Sequence, residues 1–216
     1  MADGREQALK TRLLLQQMFD SQFPLGGFAH SGGLEAYTAD PLSPERLVRL
    51  LGNHIRLGAL RLETSAMVLV YQGTDPEELA LELTAWKSTP TTLHASTALG
   101  KRLVKLARRL WKVDLPVLSE QHFALQCALL GQHLQLPLED LCLAYSQAQI
   151  TSMLSACTRC MPLSPEQAQE ILLDLQDTLL TEIPRRIQQP ELCSAMPALD
   201  LRSHQQAFLY TRLFQS

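Results

Sequence analysis

Apolar side chains recur along this chain at spacings of three and four residues, and the strict alternation typical of β-strands is nearly absent. This pattern predicts amphipathic helices over residues 9–19, 91–111, 118–134, 138–160 and 203–213. Because helical periodicity dominates from end to end, the sequence indicates an all-α protein.

Three further helices have a distinctive first turn, in which a short polar residue is followed by proline: Ser43-Pro44, Asp75-Pro76 and Ser164-Pro165. The first of these helices is predicted to continue to Leu57, where Gly58 allows a break, and the second to continue to Trp86. The third has a capping box completed by Gln167 and is predicted to end before Pro184.

The stretch over residues 184–197 is punctuated by prolines and is predicted to be irregular. The sequence contains no internal repeat, no low-complexity segment and no convincing domain boundary. We therefore predict that residues 1–216 form one all-α domain, a bundle of about nine or ten helices.

Composition narrows the protein class. With 216 residues, of which 46% are hydrophobic, the chain can bury a sizeable core. No apolar run approaches the roughly 18 residues that span a bilayer, and the first residues lack the basic and apolar regions of a signal peptide. The five cysteines are an odd number, which favours reduced thiols over a disulfide framework. We therefore expect a cytoplasmic protein without a membrane role.

The charges are unevenly distributed. A net charge of −3 predicts no general affinity for nucleic acid. However, no acidic residue lies between Glu82 and Asp114, and the helix predicted there carries a basic face. This basic face comprises Lys101, Arg102, Lys105, Arg108, Arg109 and Lys112. The apolar stripe on the opposite side comprises Leu99, Leu103, Leu106 and Leu110.

The basic face has two interpretations. It could be a solvated surface that is partly neutralised by the acidic residues of the C-terminal half. It could instead bind an acidic protein surface, a lipid headgroup or a nucleic acid. Because a single aromatic side chain, Trp111, lies among the charges, the pattern offers little surface for stacking on bases, which counts against RNA and favours an acidic protein.

The most distinctive part of the chain is residues 20–35, here called the signature segment, which reads DSQFPLGGFAHSGGLE. It holds four of the ten glycines, and Pro24 fixes its own φ and favours an extended conformation at the residue before it. The segment is predicted to be a bent connector between helices that presents Phe23, Phe28 and His30. An ordinary loop whose aromatic side chains fill the core is the alternative.

The signature segment resembles the N-terminal signature of the UreF family of urease accessory proteins. The matching residues are Asp20, Ser21, Phe23, Pro24, Gly26, Phe28, His30, Ser31, Gly33, Leu34 and Glu35. Two later stretches are also similar to this family: residues 152–163, with SMLSA followed by MPL, and the ending RLFQS over residues 212–216. The resemblance therefore spans nearly the whole chain.

Motifs for catalysis or metal binding are weak. Cys157 and Cys160 form the one CxxC motif, which lacks a second ligand pair for zinc and lacks the βαβ context of a redox pair, so two buried thiols are favoured. The histidines are dispersed, so no metal site is predicted, although His30 could bind nickel or hydrogen-bond a partner. No nucleophile elbow, P-loop or dinucleotide fingerprint is present.

The C-terminal residues 204–216 are unusually aromatic for a chain end. Aromatic and arginine side chains are typical anchors of protein interfaces, although a terminal helix packed on its own domain would also explain them. The family resemblance favours docking on another subunit, with residues 198–216 as the docking segment.

What the resemblance implies is a dimeric maturation factor that is not an enzyme and needs no cofactor. Such a protein joins the accessory protein UreD (also called UreH) and the GTPase UreG, and the assembly delivers nickel to apo-urease. The implied GTPase-side residues in the signature segment are Phe28, His30, Ser31 and Glu35. Candidate cations on the same side are Lys101, Arg102 and Arg108. The implied UreD-side residues are Phe208, Tyr210, Arg212, Leu213 and Phe214.

Two alternatives come from other classes of protein. One is a helical metal-dependent hydrolase that uses His30 and Glu35. The other is an RNA-binding module built on the basic helix. Turnover by the purified chain would favour the first, and steeply salt-dependent binding to arbitrary RNA would favour the second.

Overall fold

A computed structural model of the protein describes residues 2–26, 34–37 and 41–206. Over these ranges the chain forms nine α-helices, one short 3-10 turn at Leu34–Tyr37, and no strand. The helices are α1 (Ala2–Met18), α2 (Pro44–Leu57), α3 (Ala59–Tyr71), α4 (Pro76–Trp86), α5 (Pro90–Trp111), α6 (Phe123–His133), α7 (Leu138–Cys160), α8 (Pro165–Gln188) and α9 (Pro197–Gln206). The all-α prediction is confirmed.

The three polar-proline starts are also confirmed. The Ser43 hydroxyl accepts a hydrogen bond from the backbone N–H of Arg46, and the Asp75 carboxylate accepts one from Glu77 at 3.1 Å. At the start of α8, Ser164 and Gln167 form the reciprocal capping box, with bonds of 3.1 and 3.0 Å. Each such cap stabilises its helix by about 1 kcal/mol, so local sequence alone is enough to place these three starts.

The predicted end of α8 is wrong, because the helix continues through Pro184 to Gln188. A proline inside a helix removes one backbone hydrogen bond. Here the last turns are held by tertiary contacts: Ile183 is buried, and the buried Arg186 guanidinium donates to the Ile55 carbonyl at 3.3 Å and to the Thr64 hydroxyl at 3.1 Å. The irregular stretch is consequently shorter than predicted and covers residues 189–196.

Three other helix starts differ from the prediction, and the first is α1, which begins at Ala2, seven residues before the predicted start. α6 begins at Phe123 rather than at residue 118, although Leu118 and His122 are buried. α9 begins at Pro197, six residues before the predicted start. Before α6, buried residues enter the core from an irregular backbone, which periodicity alone does not distinguish from helix.

One continuous core joins the helices. α3 lies at its centre and packs against α2, α4, α6, α7 and α8, while α5 packs on α6 and α7 on α8. The core extends from Met18 at the end of α1 to Leu199 in α9. None of the helices in the described ranges is both long and apolar enough to cross a bilayer.

α5 approaches the segment before α6 very closely at Gly100. A Cβ atom at this position would lie 1.7 Å from the carbonyl oxygen of Gln121. Next to this contact, the fully buried imidazole of His122 hydrogen-bonds the Ser96 hydroxyl through Nδ1 at 3.2 Å and the Thr84 hydroxyl through Nε2 at 3.0 Å. Because the ring is desolvated, its pKa is lowered to about 4, so a neutral histidine ties α4 to α5.

Candidate docking site

The basic face is a solvent-exposed surface of α5. Its six cationic residues are all exposed, while Leu103 and Leu106 on the opposite side of the helix are buried. This arrangement confirms the predicted amphipathic helix over most of its length. Leu110 departs from the prediction, because its side chain is 44% exposed and lies beside the charges instead of in the core.

Contacts among the described residues neutralise little of this positive charge. Among the described residues, the one ion pair made by the basic face joins Arg108 to Asp114, just beyond the end of the helix. The acidic side chains of α8 are not involved: Glu182, for instance, lies 3.9 Å from Arg56 and 3.5 Å from Arg186. The first interpretation, a face neutralised by the acidic helix, is therefore not supported by these contacts.

The first part of the signature segment, residues 20–26, lies against the same helix. The Arg102 side chain donates from Nε to the Pro24 carbonyl at 3.0 Å, and the ring of Phe23 lies 5.9 Å from that of Trp111. Gly26 then has a φ of +84°, a conformation that glycine adopts without strain. The structure thus joins two features that are far apart in sequence, the signature segment and the basic face.

Phe23 has a different role from the one predicted. Its side chain is buried, which agrees with the alternative interpretation, a loop whose aromatic side chains fill the core. Phe23 therefore anchors the segment to the core, and only 9% of its surface remains exposed. Pro24 and the exposed Gln22, which flank it, remain on the outside.

A shallow groove runs between residues 20–24 and the C-terminal half of α5. Its lining comprises Gln16, Gln17, Asp20, Gln22, Phe23, Pro24, Leu106, Arg109 and Leu110. This lining combines apolar residues, among them the exposed Pro24 and Leu110, with amides, a carboxylate and an arginine, a mixture that is typical of protein interfaces. This groove could not be predicted from the sequence. The groove needs Leu110 outside the core, whereas the apolar stripe predicted that Leu110 would be buried.

Glu35 lies away from the basic face, in the 3-10 turn. Only 1% of its surface is exposed, and the turn packs against α7 and α9. The neighbouring Tyr37 ring is covered by the Arg202 guanidinium of α9, which lies 5.0 Å from the ring centroid. In this conformation the carboxylate of Glu35 is part of the packed interior, so its predicted role in partner binding stays a prediction.

Several predicted residues lie outside the described ranges. On the GTPase side these are Phe28, His30 and Ser31. On the UreD side they are Phe208, Tyr210, Arg212, Leu213 and Phe214. The described part of the predicted docking segment is the end of α9, where Leu199 and Ser203 are buried and Leu201 is exposed.

The CxxC motif lies in the last turns of α7. Cys157 is buried, and Cys160 is half-buried and donates a hydrogen bond to the Ala156 carbonyl at 3.0 Å. Burial raises the pKa of Cys157 to about 12, which suppresses the thiolate that metal binding and redox chemistry need. Within the part of the chain that the structure describes, no cluster of three or more His, Cys, Asp or Glu side chains could hold a metal ion.

Comparison with known proteins agrees with the signature. The sequence model of the UreF family matches residues 42–176, which include all of α2 to α7 and the first half of α8. This match excludes the signature segment and the C-terminal tail, so it is independent of those two stretches, and it includes the similar stretch over residues 152–163.

Curated relatives extend the similarity to nearly the full chain. Urease accessory protein UreF from a Nostoc species is 28% identical, over 94% of this chain and 95% of its own length. The proteins of the same name from a Bacillus species and from Haemophilus influenzae are 28% and 26% identical, over 94% and 100% of this chain. Because the family match covers well over half of the residues, the chain belongs to the UreF family of urease accessory proteins.

Proposed function

We propose that this protein matures urease by binding other proteins and carries out no bond chemistry itself. In the proposed assembly it joins UreD (UreH) and the GTPase UreG, and the complex inserts nickel into apo-urease in a GTP-dependent step. Membership in a family of urease accessory proteins supports the pathway, and the absence of catalytic motifs from the sequence is compatible with a recruiting role.

The observation that carries the GTPase-side assignment is the hydrogen bond from Arg102 to Pro24. It couples the segment with the strongest family signature to the most cationic surface of the chain. A partner that covers this junction would contact signature residues and arginines together. We therefore assign UreG to the surface formed by residues 20–26, the groove and the basic face.

Electrostatics favours an acidic partner at this surface. The basic face is exposed, and among the described residues it is compensated by Asp114 alone. Complementary charge accelerates association and fixes orientation more than it raises affinity. The proposed UreG surface is accordingly acidic, and binding is expected to weaken as salt is added.

Coupling to GTP requires only a preference for one nucleotide state of the GTPase, since differential affinity shifts the equilibrium between states. A direct role in phosphoryl transfer would need a free cation that reaches the transferred phosphate. Arg102 and Arg108 are engaged with Pro24 and Asp114. Lys101 has no hydrogen bond or ion pair with any described residue, so we propose it as the first candidate for this role.

For the second partner, UreD, we propose that it binds residues 198–216. The buried residues of α9 fix the start of this segment to the domain, and its aromatic residues supply interface anchors. We further propose that the protein acts as a homodimer in the cytoplasm, where GTP is available to its GTPase partner. Light scattering of the purified protein, alone and with UreD, tests the oligomeric state.

The central experiment reverses charge on the basic face. The double variant Lys101→Glu/Lys105→Glu is expected to bind UreG at least about tenfold more weakly than the wild type, with a smaller salt dependence. The matched control is Arg46→Glu/Arg49→Glu, which makes the same charge change on exposed residues of α2. Equal affinity of both variants and the wild type, measured by interferometry in GTP and in GDP, would refute the assignment.

A further inference from the structure

A cavity of about 600 Å³ lies between the end of α1 and helices α3, α5, α7 and α9. It borders the shallow groove beside α5 at Asp20 and Phe23, but most of its lining belongs to other elements. The walls are largely apolar and include Phe19, Leu60, Leu99, Phe123 and Met153. Both the volume and the apolar lining are typical of sites for small organic ligands.

A buried charged cluster lines one part of this cavity. The Lys87 ammonium lies 2.7 Å from Oε1 of Glu63, and the Tyr145 hydroxyl donates to Oε2 of the same carboxylate at 2.9 Å. Only 6% of the Lys87 side chain and 12% of the Glu63 side chain are exposed. Burial alone would raise the pKa of Glu63, but the charge and hydrogen bond of Lys87 outweigh it and hold the pKa below its usual value.

Part of the hydrogen-bonding capacity of this cluster is unused. A lysine ammonium has three N–H donors, and among the described residues Lys87 uses one side-chain bond, to Glu63. His54, which also lines the cavity, has a buried Nδ1 without a hydrogen-bond partner in the described ranges. Desolvation lowers the pKa of His54 to about 4, so the imidazole is neutral at physiological pH. Buried polar atoms left in this state are destabilising unless a guest satisfies them.

The charges of the cluster restrict the kind of guest. Lys87 and Glu63 already cancel, so next to Lys87 a carboxylate would be an uncompensated charge in a desolvated site, and an ammonium ion would be repelled by the lysine. A neutral amide or hydroxyl group can accept from Lys87 and also bond the ring nitrogen of His54. The apolar walls then require an apolar body behind that group.

From this geometry we propose that the cavity is a binding site for a small uncharged organic molecule. Its apolar body would lie among Phe19, Leu99 and Met153, and its terminal amide or hydroxyl group would bond Lys87 and His54. This inference goes beyond the proposed function, because it assigns a ligand to the chain itself, and it does not depend on which proteins bind the surface.

Three probes that share one body test the proposal: 3-phenylpropanamide, 3-phenylpropanoate and propylbenzene. The full-length protein is titrated with each probe, and binding is followed by protein NMR. We expect the amide to saturate with a Kd on the order of 1 mM or tighter, as is typical of a fragment of this size. The carboxylate and the hydrocarbon should bind about tenfold more weakly, because each lacks the neutral polar group.

Variants locate the binding. Ala95→Phe, or Ala148→Phe if the first variant does not fold, adds a ring at the cavity wall and should abolish binding of the amide. The matched control Ala85→Phe places the same ring on the exposed surface of α4 and should leave binding unchanged. His54→Phe should weaken the amide about fivefold without affecting propylbenzene. The proposal is overturned if no probe saturates the wild type, or if the filled cavity still binds the amide.

Discussion

Arg102 illustrates how one residue can serve two purposes on a surface. The sequence indicates only that it belongs to a basic helix. The structure shows that its Nε–H bonds the Pro24 carbonyl, so its guanidinium fixes the signature segment to α5 while it stays exposed to a partner. Loss of Arg102 should therefore disturb the position of residues 20–26 as well as the charge.

This view gives the first prediction. Arg102→Gln should weaken UreG binding about tenfold, while the free energy of unfolding falls by less than about 1 kcal/mol, because the lost hydrogen bond is exposed. Arg109→Gln is the control, since it removes the same charge from the same face without a side-chain bond to the segment. Hydrogen exchange should accelerate at residues 20–26 in the Arg102 variant alone. Equal effects of both variants would show that Arg102 contributes to UreG binding through its charge alone.

The buried His122 gives a prediction about pH. Its pKa is about 4 in the folded protein and about 6.5 when unfolded, so the unfolded state binds more protons between these values. Above about pH 6.5 the imidazole is neutral in both states and does not oppose folding. As the pH falls from about 6.5 towards 4, protonation of His122 in the unfolded state lowers the stability of the folded protein. We expect it to cost about 2 kcal/mol of stability between pH 7.5 and pH 5.

Guanidinium unfolding at both pH values checks this expectation. The His122→Gln variant should be less sensitive to pH over this interval, because no imidazole remains to be protonated. His133→Gln, which replaces an exposed histidine of α6, should keep the slope of the wild type. An unchanged slope in His122→Gln would show that other groups set the pH dependence.

At the scale of elements, the position of α5 depends on a missing side chain. Gly100 lets the helix touch the backbone of Gln121, and a methyl group there would overlap the carbonyl oxygen. Gly100→Ala should therefore lower the free energy of unfolding by about 3 kcal/mol, and it should shift the basic face that α5 carries. Gly4→Ala in α1 has no neighbour within 4 Å and should change stability by at most about 1 kcal/mol. Thermal unfolding of the two variants separates packing from helix propensity.

The second prediction for an element concerns the C-terminal tail. Deletion of residues 208–216 should leave a folded helical domain, because the truncated chain keeps the whole described core, including Leu199 and Ser203 of α9. The truncated protein should lose UreD, since the predicted aromatic anchors are removed. Circular dichroism and a pull-down with UreD provide the measurement. Substitution of Leu201 by Ala in the full-length chain is a control for the exposed part of α9, and retained binding after the deletion would contradict the prediction.

The three helix starts with a polar cap and a proline could be predicted from sequence, because their signals are local. Ser43, Asp75 and Ser164 cap helices through bonds to residues two or three positions ahead. Helix ends and exposure could not be predicted so well, because they depend on distant residues. Pro184 remains in α8 because Arg186 and Ile183 are held by other helices, and Leu110 is exposed although it fits the apolar stripe. The groove therefore became visible only in three dimensions.

At the scale of the whole molecule, the family and the fold class could be predicted from short motifs and periodicity. The relation between sites could not. Pro24 and Arg102 are 78 positions apart in the sequence, and only the folded chain brings them together. Likewise, the sequence marks Lys87 as one more cation in an acid-free stretch, whereas the structure places it in a buried pair with Glu63.

The buried thiols have a consequence for metal traffic. Burial raises the pKa values of Cys142 and Cys157 to about 12, so both sulfurs are protonated thiols at pH 7. Soft metal ions are captured by the thiolate anion. In the proposed role, these two thiols would therefore not bind the nickel ion, and the ion would remain available for insertion into urease.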